Sequence, residues 1–581
     1  MATAASSSYG RSLPRPRPAL VPAGALQLLT WVVVVTGVVG PFVPLVYASL
    51  RDRPLYEDGG AFSITGYRQV LGDAAFWHAA LNTLQYAVET TALAVVGGAA
   101  VAILVSRTDL PGRRVLGKVI LLPLLLPALG IVLGWIVVWG PGGYLSVLAD
   151  QKLHLPTLAI NTIPGMALIE SARLLPIAFL TCEAALARAD SSLEDAARSA
   201  GAGPVRVLRS VTVPMLRPAL LNSGTLIFTL AIASLGIPLL LGAQRGINTI
   251  STYLYLNWTN GANPDPPAVT AGAVLLLAIA TALLLIRNRL LGAEARFVSV
   301  GGRAGRNAML QLRGFRWPFA LLIALYLVMS TLIPVLGLAL MSVVVILTPL
   351  IAPWRLFTWE HWHTIVQGEF RHAIEHSLLI SVIGAIIATA VVAVATLVAH
   401  RSRFPLRRTL PFLMLYPRAT PGLIIGIGFF WAYLLTGAVG DYLRTSIWGI
   451  MVAFCVRDLP FAYVVMYPTL ARIGEELDRA GRSVGAGWWL TSRRIVLPLL
   501  RPAIFASFIL MFVELLNDYD PALFLVKPGT EVIGTTMLSE FIQGTTGPVA
   551  ALALVQVIAT VVVLGIGAVL LKIGLTGEHD A

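Results

Sequence analysis

Leu193-Glu194-Asp195-Ala196-Ala197-Arg198-Ser199-Ala200-Gly201-Ala202-Gly203 is answered by Leu477-Asp478-Arg479-Ala480-Gly481-Arg482-Ser483-Val484-Gly485-Ala486-Gly487, an offset of 284 residues. The first stretch is followed by Arg209, Pro214, Arg217 and Pro218, the second by Arg493, Pro498, Arg501 and Pro502. Each copy reads as a short helix. Acidic residues open it at the positive end of its dipole, and a glycine able to take φ > 0 closes it. So many small side chains let another protein approach the backbone closely, while the arginines supply charge-assisted contacts. The segment has the character of a docking element, present twice.

What surrounds the two copies is almost wholly apolar. The 581 residues are 57% hydrophobic and 12% charged, against about 25% charged in soluble domains, so lipid must be the main solvent. A bilayer core about 30 Å thick needs roughly 20 apolar helical residues per crossing. Such runs fall near 25–50, 81–105, 119–139, 160–183, 218–242 and 267–286, then 318–348, 377–400, 409–435, 446–469, 503–526 and 549–572. None alternates with period two, and bare backbone is not tolerated in lipid, so the spans are helices rather than barrel strands. The fold class is all-α transmembrane: twelve spans as two six-helix repeats.

The formal charge of +13 does not point to nucleic acid, because Lys and Arg sit in short loops between apolar runs. With this span placement, roughly thirty of the 42 basic residues lie on the side of the N-terminus. That side is therefore expected to be cytoplasmic. The run after Arg11, Arg15 and Arg17 is longer than a secretory h-region and reads as an uncleaved first span. On the opposite side, Tyr67, Trp77, Trp359 and Trp362 suit interfacial anchoring.

The duplication extends beyond the opening segments. Phe76-Trp77-His78-Ala79 with Asn82-Thr83-Leu84 corresponds to Phe370-Arg371-His372-Ala373 with His376-Ser377-Leu378, and Arg107, Pro111, Arg113 and Arg114 correspond to Arg401, Pro405, Arg407 and Arg408, all at an offset of 294. The second half is thus about ten residues shorter, most easily in the loop near 140–158. The expected organisation is a cytoplasmic tail (1–24), a first repeat (25–300), a cytoplasmic linker (301–316) with Arg303, Arg306, Arg313 and Arg316, and a second repeat (317–581). Six spans per half make the repeats parallel, related by an axis along the membrane normal, with a passage between them.

The paired loops resemble the EAA motif of permease subunits in type I ABC importers: Glu-Ala-Ala, three residues, Gly, then a downstream Pro. In that family the loop is a coupling helix seated in the ATP-binding subunit. The resemblance assigns that role to Asp195, Ala196, Ala197, Arg198, Gly201 and Pro214, and to Arg479, Ala480, Arg482, Gly485 and Pro498. Asp195 stands for the usual glutamate. In the second copy Arg479 and Gly481 replace the Glu and second Ala, so either the two contacts are unequal or Glu475, Glu476 or Asp478 supplies the acid.

Further signals point elsewhere or nowhere. Gly112-Arg113-Arg114-Val115-Leu116-Gly117-Lys118 has most of a phosphate-binding loop, but Val119 takes the place of the Mg²⁺-holding Ser or Thr. No cofactor is expected in this chain; ATP and Mg would be bound by partner subunits. His361, His363, His372 and His376 lack a further zinc ligand or an HExxH. They read as interfacial or external-loop residues. Cys182 and Cys455 read as buried single thiols. Whether any metal is held remains open at this level.

Charges within spans mark function by default: Glu170, Arg173, Glu183, Arg418, Arg457, Asp458, Glu514, Asp518 and Asp520. Arg457 and Asp458 could simply pair with each other. Glu514 and Asp518, four apart, would share a helix face, and with Tyr519 and Asp520 form an acidic surface suited to a cationic or hard-metal solute.

The fused double length, Pro521-Ala522-Leu523-Phe524-Leu525 and Lys527-Pro528-Gly529-Thr530-Glu531-Val532 are most similar to the subgroup of importers for ferric iron; related subgroups carry polyamines, thiamine, sulfate or aminophosphonates. The resemblance implies two copies of a cytoplasmic ATP-binding subunit, a periplasmic or lipid-anchored solute-binding protein, and a place in a bacterial inner membrane. A twelve-span secondary transporter would also show parallel repeats, but would have no reason to repeat the docking loop. A membrane enzyme would need a nucleophile or metal constellation that the sequence does not supply.

Overall fold

The computed structural model describes residues 23–188, 192–259, 265–294, 310–368 and 370–576. The expected N-terminal tail up to residue 22, and Arg303 and Arg306 of the linker, lie outside them. Among the described residues there are helices and isolated β-bridges but no strand. Ten of the described helices are long and apolar enough to cross a bilayer, and two bent helix pairs, each counted as one span, bring the number to twelve.

In the first half, α1 (Ala23–Val39) and α2 (Phe42–Ser49) make one span bent at Gly40-Pro41. Then come α3 (Ala74–Arg107), α4 (Ala128–Trp139), α5 (Ile163–Arg188), the short loop helix α6 (Ser192–Ser199), α7 (Arg217–Ala233), α8 (Ile250–Thr259) and α9 (Pro266–Glu294). The second half repeats the order: α10 (Arg316–Leu327) and α11 (Ile333–Met341), α12 (Phe370–Arg401), α13 (Gly422–Leu435), α14 (Ile447–Arg472), α15 (Glu476–Ser483), α16 (Leu497–Asn517), α17 (Ile533–Ile542) and α18 (Gly547–Thr576). From α5 to the end of α7 the boundaries match those of α14 to α16 at the offset of 284, except that the first half breaks at Leu216, with a 61° bend, where α16 runs unbroken from Leu497. Even the single π-turns, Leu208–Thr212 and Ser492–Val496, coincide. Each π-turn runs into a proline, Pro214 or Pro498, which has no N–H to continue an α-helical ladder.

Each half is built on three mutually packed helices, α3, α5 and α7 in one and α12, α14 and α16 in the other. The first span of each half packs on the opposite half. α1 lies on α12, and α2 lies on α13, while α11 lies on α4. Trp31 Nε1 donates to Thr409 Oγ1 at 3.0 Å, and the Tyr326 hydroxyl donates to the Ala172 carbonyl at 2.6 Å. The exchange is reciprocal at close range. A Cβ on Gly134 would meet the Pro334 carbonyl oxygen at 2.6 Å, and one on Gly428 would meet that of Pro41 at 3.0 Å. Small residues at such crossings let membrane helices gain dispersion contacts where lipid offers no hydrophobic drive.

Four of the expected straight spans are broken. The run near 409–435 bends by 110° between Arg407–Ala419 and Gly422–Leu435. Thr420 is extended because Pro421 follows it, and Leu126 before Pro127 is extended in the same way. The runs near 218–242 and 503–526 leave the helix at Ser234 (ψ 129°) and Asp518 (ψ 145°). Hydropathy cannot distinguish a straight apolar helix from one interrupted over three residues.

Candidate functional sites: a charged cavity and two anchored loop helices

The four breaks converge. Leu126, Ser234-Leu235-Gly236, Ala419-Thr420 and Asp518-Tyr519-Asp520 line a cavity of about 700 Å³ between the halves. Irregular backbone at membrane depth is tolerated where it lines such a space. The cavity extends past Leu226, Leu284, Arg287 and Phe412, toward the helix ends that carry the arginine-rich loops. At the other end, the hydroxyl of Tyr519 abuts the α-carbon of Gly236, where a Cβ would collide with it. The two fifth-span breaks thus meet across the cavity.

One arginine organises the second break. Arg457, on α14, pairs with Asp518 and donates from Nη2 to Asp520 Oδ2 at 2.7 Å. Asp518 Oδ1 also accepts from the Tyr519 backbone N–H at 2.8 Å, so the residues flanking Tyr519 are both fixed. Gly422 makes room for the pair: its Cβ would lie 2.6 Å from Asp520 Cβ. The repeat position of Arg457 is Arg173; the positions of the two aspartates are Ser234 and Gly236 in the first half, and Arg173 pairs instead with Glu170 on its own helix at 2.7 Å. The duplicated scaffold therefore carries a clamp on one side only.

Two expectations about these charges are corrected. Arg457 and Asp458 do not pair with each other; Asp458 lies 3.9 Å from Arg418, which stacks over the Phe461 ring at 4.4 Å. Glu514 and Asp518 do not share a helix face, because α16 ends at Asn517. Glu514, Asp518, Tyr519 and Asp520 do all line the cavity, together with Glu170, Arg173, Arg418, Arg457 and Asp458. Glu183 does not. Arg287 and Tyr416 also line it; neither was flagged by the sequence, since both sit near span ends where polar residues are unremarked.

The loop helices α6 and α15 are anchored alike. Arg107 donates to the Leu186 carbonyl at 3.0 Å and pairs with Glu194 at 3.3 Å. Arg401 donates to the Leu470 carbonyl at 2.9 Å and to Asp478 at 2.6 Å. Glu194 additionally accepts from Thr212 Oγ1 at 3.1 Å and pairs with Arg198, which also holds Asp195 at 2.6 Å. The buried acids are thus Glu194 and Asp478, and Asp195 is half-exposed. The signal was available: an arginine closing the second span and an acid opening the loop helix recur at the same place in both halves.

Ala196, Arg479, Ala480 and Arg482 are exposed. Gly201 (φ +81°) and Gly485 (φ +78°) end the two helices in the left-handed region, which favours glycine. Gly481 is buried against Thr491, whose Oγ1 would lie 2.7 Å from an added Cβ. That contact explains why the second copy lacks the alanine present at 197. Beyond these helices, Val205 (77% exposed) and Val484 (82%) offer apolar side chains to solvent.

Among the described residues no group of three or more His, Cys, Asp or Glu is placed to hold a metal. His361 and His376 instead contact backbone carbonyls of Val344 and Glu531.

Residues 94–293 and 391–572 match the family described as binding-protein-dependent transport system inner membrane component, and the chain belongs to that family, carrying the unit twice. It is a fused, multi-pass permease subunit of an ABC importer. It is 23% identical over 524 residues to the putative ferric transport system permease protein FbpB 1 of Haemophilus influenzae, covering 84% of this chain and 77% of that one. The ferric transport system permease protein FbpB of Actinobacillus pleuropneumoniae is 23% identical over 543 residues, covering 88% and 73%. The putative 2-aminoethylphosphonate transport system permease protein PhnU of Salmonella typhimurium is 29% identical over 246 residues, covering 42% of this chain and 84% of that one.

Proposed function

We propose that this permease carries ferric iron into a bacterial cell, with α6 and α15 as the coupling helices for two copies of a cytoplasmic ATP-binding subunit. Similarity to ferric permeases over most of the chain, rather than over one half, is the observation that carries the solute. The coupling role is supported by the equivalent anchoring of α6 and α15 and by the exposed small and apolar residues around Gly201 and Gly485. On this reading the N-terminus and both loop helices are cytoplasmic, and the membrane is the inner membrane. A solute-binding protein delivers cargo to the outer face. ATP and Mg²⁺ bind in the partner subunits, whose closure moves α6 and α15 and opens the passage outward; hydrolysis returns it to the inward-open shape.

The test is reconstitution of the permease with its ATPase and binding protein in proteoliposomes, following ATP hydrolysis and uptake of radiolabelled ferric iron. Uptake that needs ATP and the binding protein is expected. Uptake driven by an ion gradient without the ATPase would overturn the class of mechanism, and ATP-driven uptake of 2-aminoethylphosphonate in place of iron would overturn the solute.

A further inference from the structure

The cavity contains more acceptor oxygens than its arginines satisfy. Asp458 Oδ2, Asn517 Oδ1, Asp518 Oδ2 and Asp520 Oδ1 are buried and make no hydrogen bond, and all four residues line the cavity. Asp458 is 1% and Asp520 7% exposed, so neither carboxylate is freely solvated. Desolvated acceptors without donors are costly and call for a partner.

The charge balance has the same sign. Arg457 serves two carboxylates, Arg418 stands 3.9 Å from Asp458, and Arg173 is taken by Glu170. Glu514, on the same wall, forms no hydrogen bond or ion pair among the described residues. An arriving anion would find these three arginines engaged; an arriving cation would find open acceptors. The unpartnered donor among the cavity-lining residues, Arg287 Nε, belongs near the far end of α9.

Every one of these acceptors belongs to the second half. At the repeat positions of Asp458, Glu514, Asn517, Asp518 and Asp520 the first half has Leu174, Leu230, Ala233, Ser234 and Gly236. The duplication thus offers one site, not a symmetric pair.

We propose that Asp458, Glu514, Asn517, Asp518 and Asp520 form a transit site for a hard, oxygen-seeking cation on the second-half wall of the passage. The proposal rests on the reading of the cavity as the translocation path. Because the acceptors do not converge on one point, the site meets the cation on one side while the remainder of its shell stays hydrated. That suits cargo which must leave again. Since Asp518 and Asp520 are also the groups that Arg457 holds beside Tyr519, a cation at the site competes with Arg457 for them.

The experiment uses the full-length permease in complex with its ATPase, titrated with Tb³⁺ alone as the metal probe. The variants are Asp458→Asn and Glu514→Gln, each isosteric and at a carboxylate that no arginine hydrogen-bonds, Asp458 having only the 3.9 Å ion pair with Arg418; the thermal midpoint checks that both fold. Each is expected to weaken Tb³⁺ binding by about tenfold or more and to raise KM for ATP-driven uptake, with Glu514→Asp recovering most of the loss. Displacement of Tb³⁺ by spermidine would assign the site to an organic polycation, and failure of spermidine to displace it to a metal; both support a cation site.

Wild-type Tb³⁺ affinity in both variants, or displacement of Tb³⁺ by 2-aminoethylphosphonate with a polyamine ineffective, would overturn the proposal. These failures leave ATP-dependent uptake intact in the wild type. Failure of the importer reading would instead abolish that uptake whatever Tb³⁺ does.

Discussion

Arg401 donates to Asp478 at 2.6 Å across 77 residues of chain, and from its other terminal nitrogen it also reaches the Leu470 and Ile473 carbonyls. A single side chain therefore joins the end of α12, the end of α14 and the loop helix α15. Arg107 does the same for α3, α5 and α6. Force applied to either loop helix reaches the second span of that half through a buried ion pair as well as through the covalent connection to the fourth and fifth.

Arg401→Met should leave Asp478 as a buried, uncompensated carboxylate, a loss of about 3–5 kcal/mol. Scanning fluorimetry should show a lower unfolding midpoint, and binding-protein-stimulated ATP hydrolysis should fall. The double variant Arg401→Met/Asp478→Leu should regain most of the stability but not the stimulation. If the double variant couples normally, the arginine is only a structural tie.

Nothing lies within 4 Å of a Cβ built on Gly485 or Gly201, so substitution there acts through the backbone or through an approaching partner, not through internal packing. Gly485→Val should cost about 1–2 kcal/mol from its left-handed φ, with Gly485→Asn milder. A bulky charged residue at either position should abolish stimulated hydrolysis while the protein still inserts. Stimulation equal to wild type in Gly201→Glu and Gly485→Glu, measured in the same vesicles, would count against docking at these turns.

Gly236→Ala drives a methyl group into the Tyr519 hydroxyl. Transport should drop severalfold and recover in Gly236→Ala/Tyr519→Phe, which removes the oxygen and keeps the ring. Uptake assays on the four members of this cycle test whether the two residues meet; additive effects would show that they do not.

Removing the clamp by Arg457→Met exposes Asp518 and Asp520 to each other without a counter-charge, at a cost of about 3–5 kcal/mol. The triple variant with Asp518→Asn and Asp520→Asn should be markedly more stable than Arg457→Met alone. Thermal midpoints of the three proteins decide this; the reverse order would mean that Arg457 does not neutralise the pair.

Much of this architecture was legible in the residues. The apolar runs, the two repeat offsets and the glycine-terminated loops all follow from periodicity and internal comparison, and they place helix, turn and duplication correctly. Pairing was less legible. Arg457 and Asp458 are adjacent in sequence, yet a helix points neighbouring side chains in different directions, and each finds its partner on another segment. The aspartates at 518 and 520 read as one more helical turn because their apolar neighbours continue the span; the break is set by tertiary contacts with α13 and α14. The exchange of first spans left no trace in hydropathy, because a lipid-facing and a partner-facing apolar side chain look alike.

That exchange has a consequence for biosynthesis. α2 leaves the ribosome roughly 370 residues before the helix it rests on, a lag on the order of half a minute at typical elongation rates. Until α13 arrives, the first span has α9 of its own half to rest on but lacks the second helix it packs against. Joining both halves in one polypeptide guarantees that the awaited neighbour is always made, in equal number and close at hand.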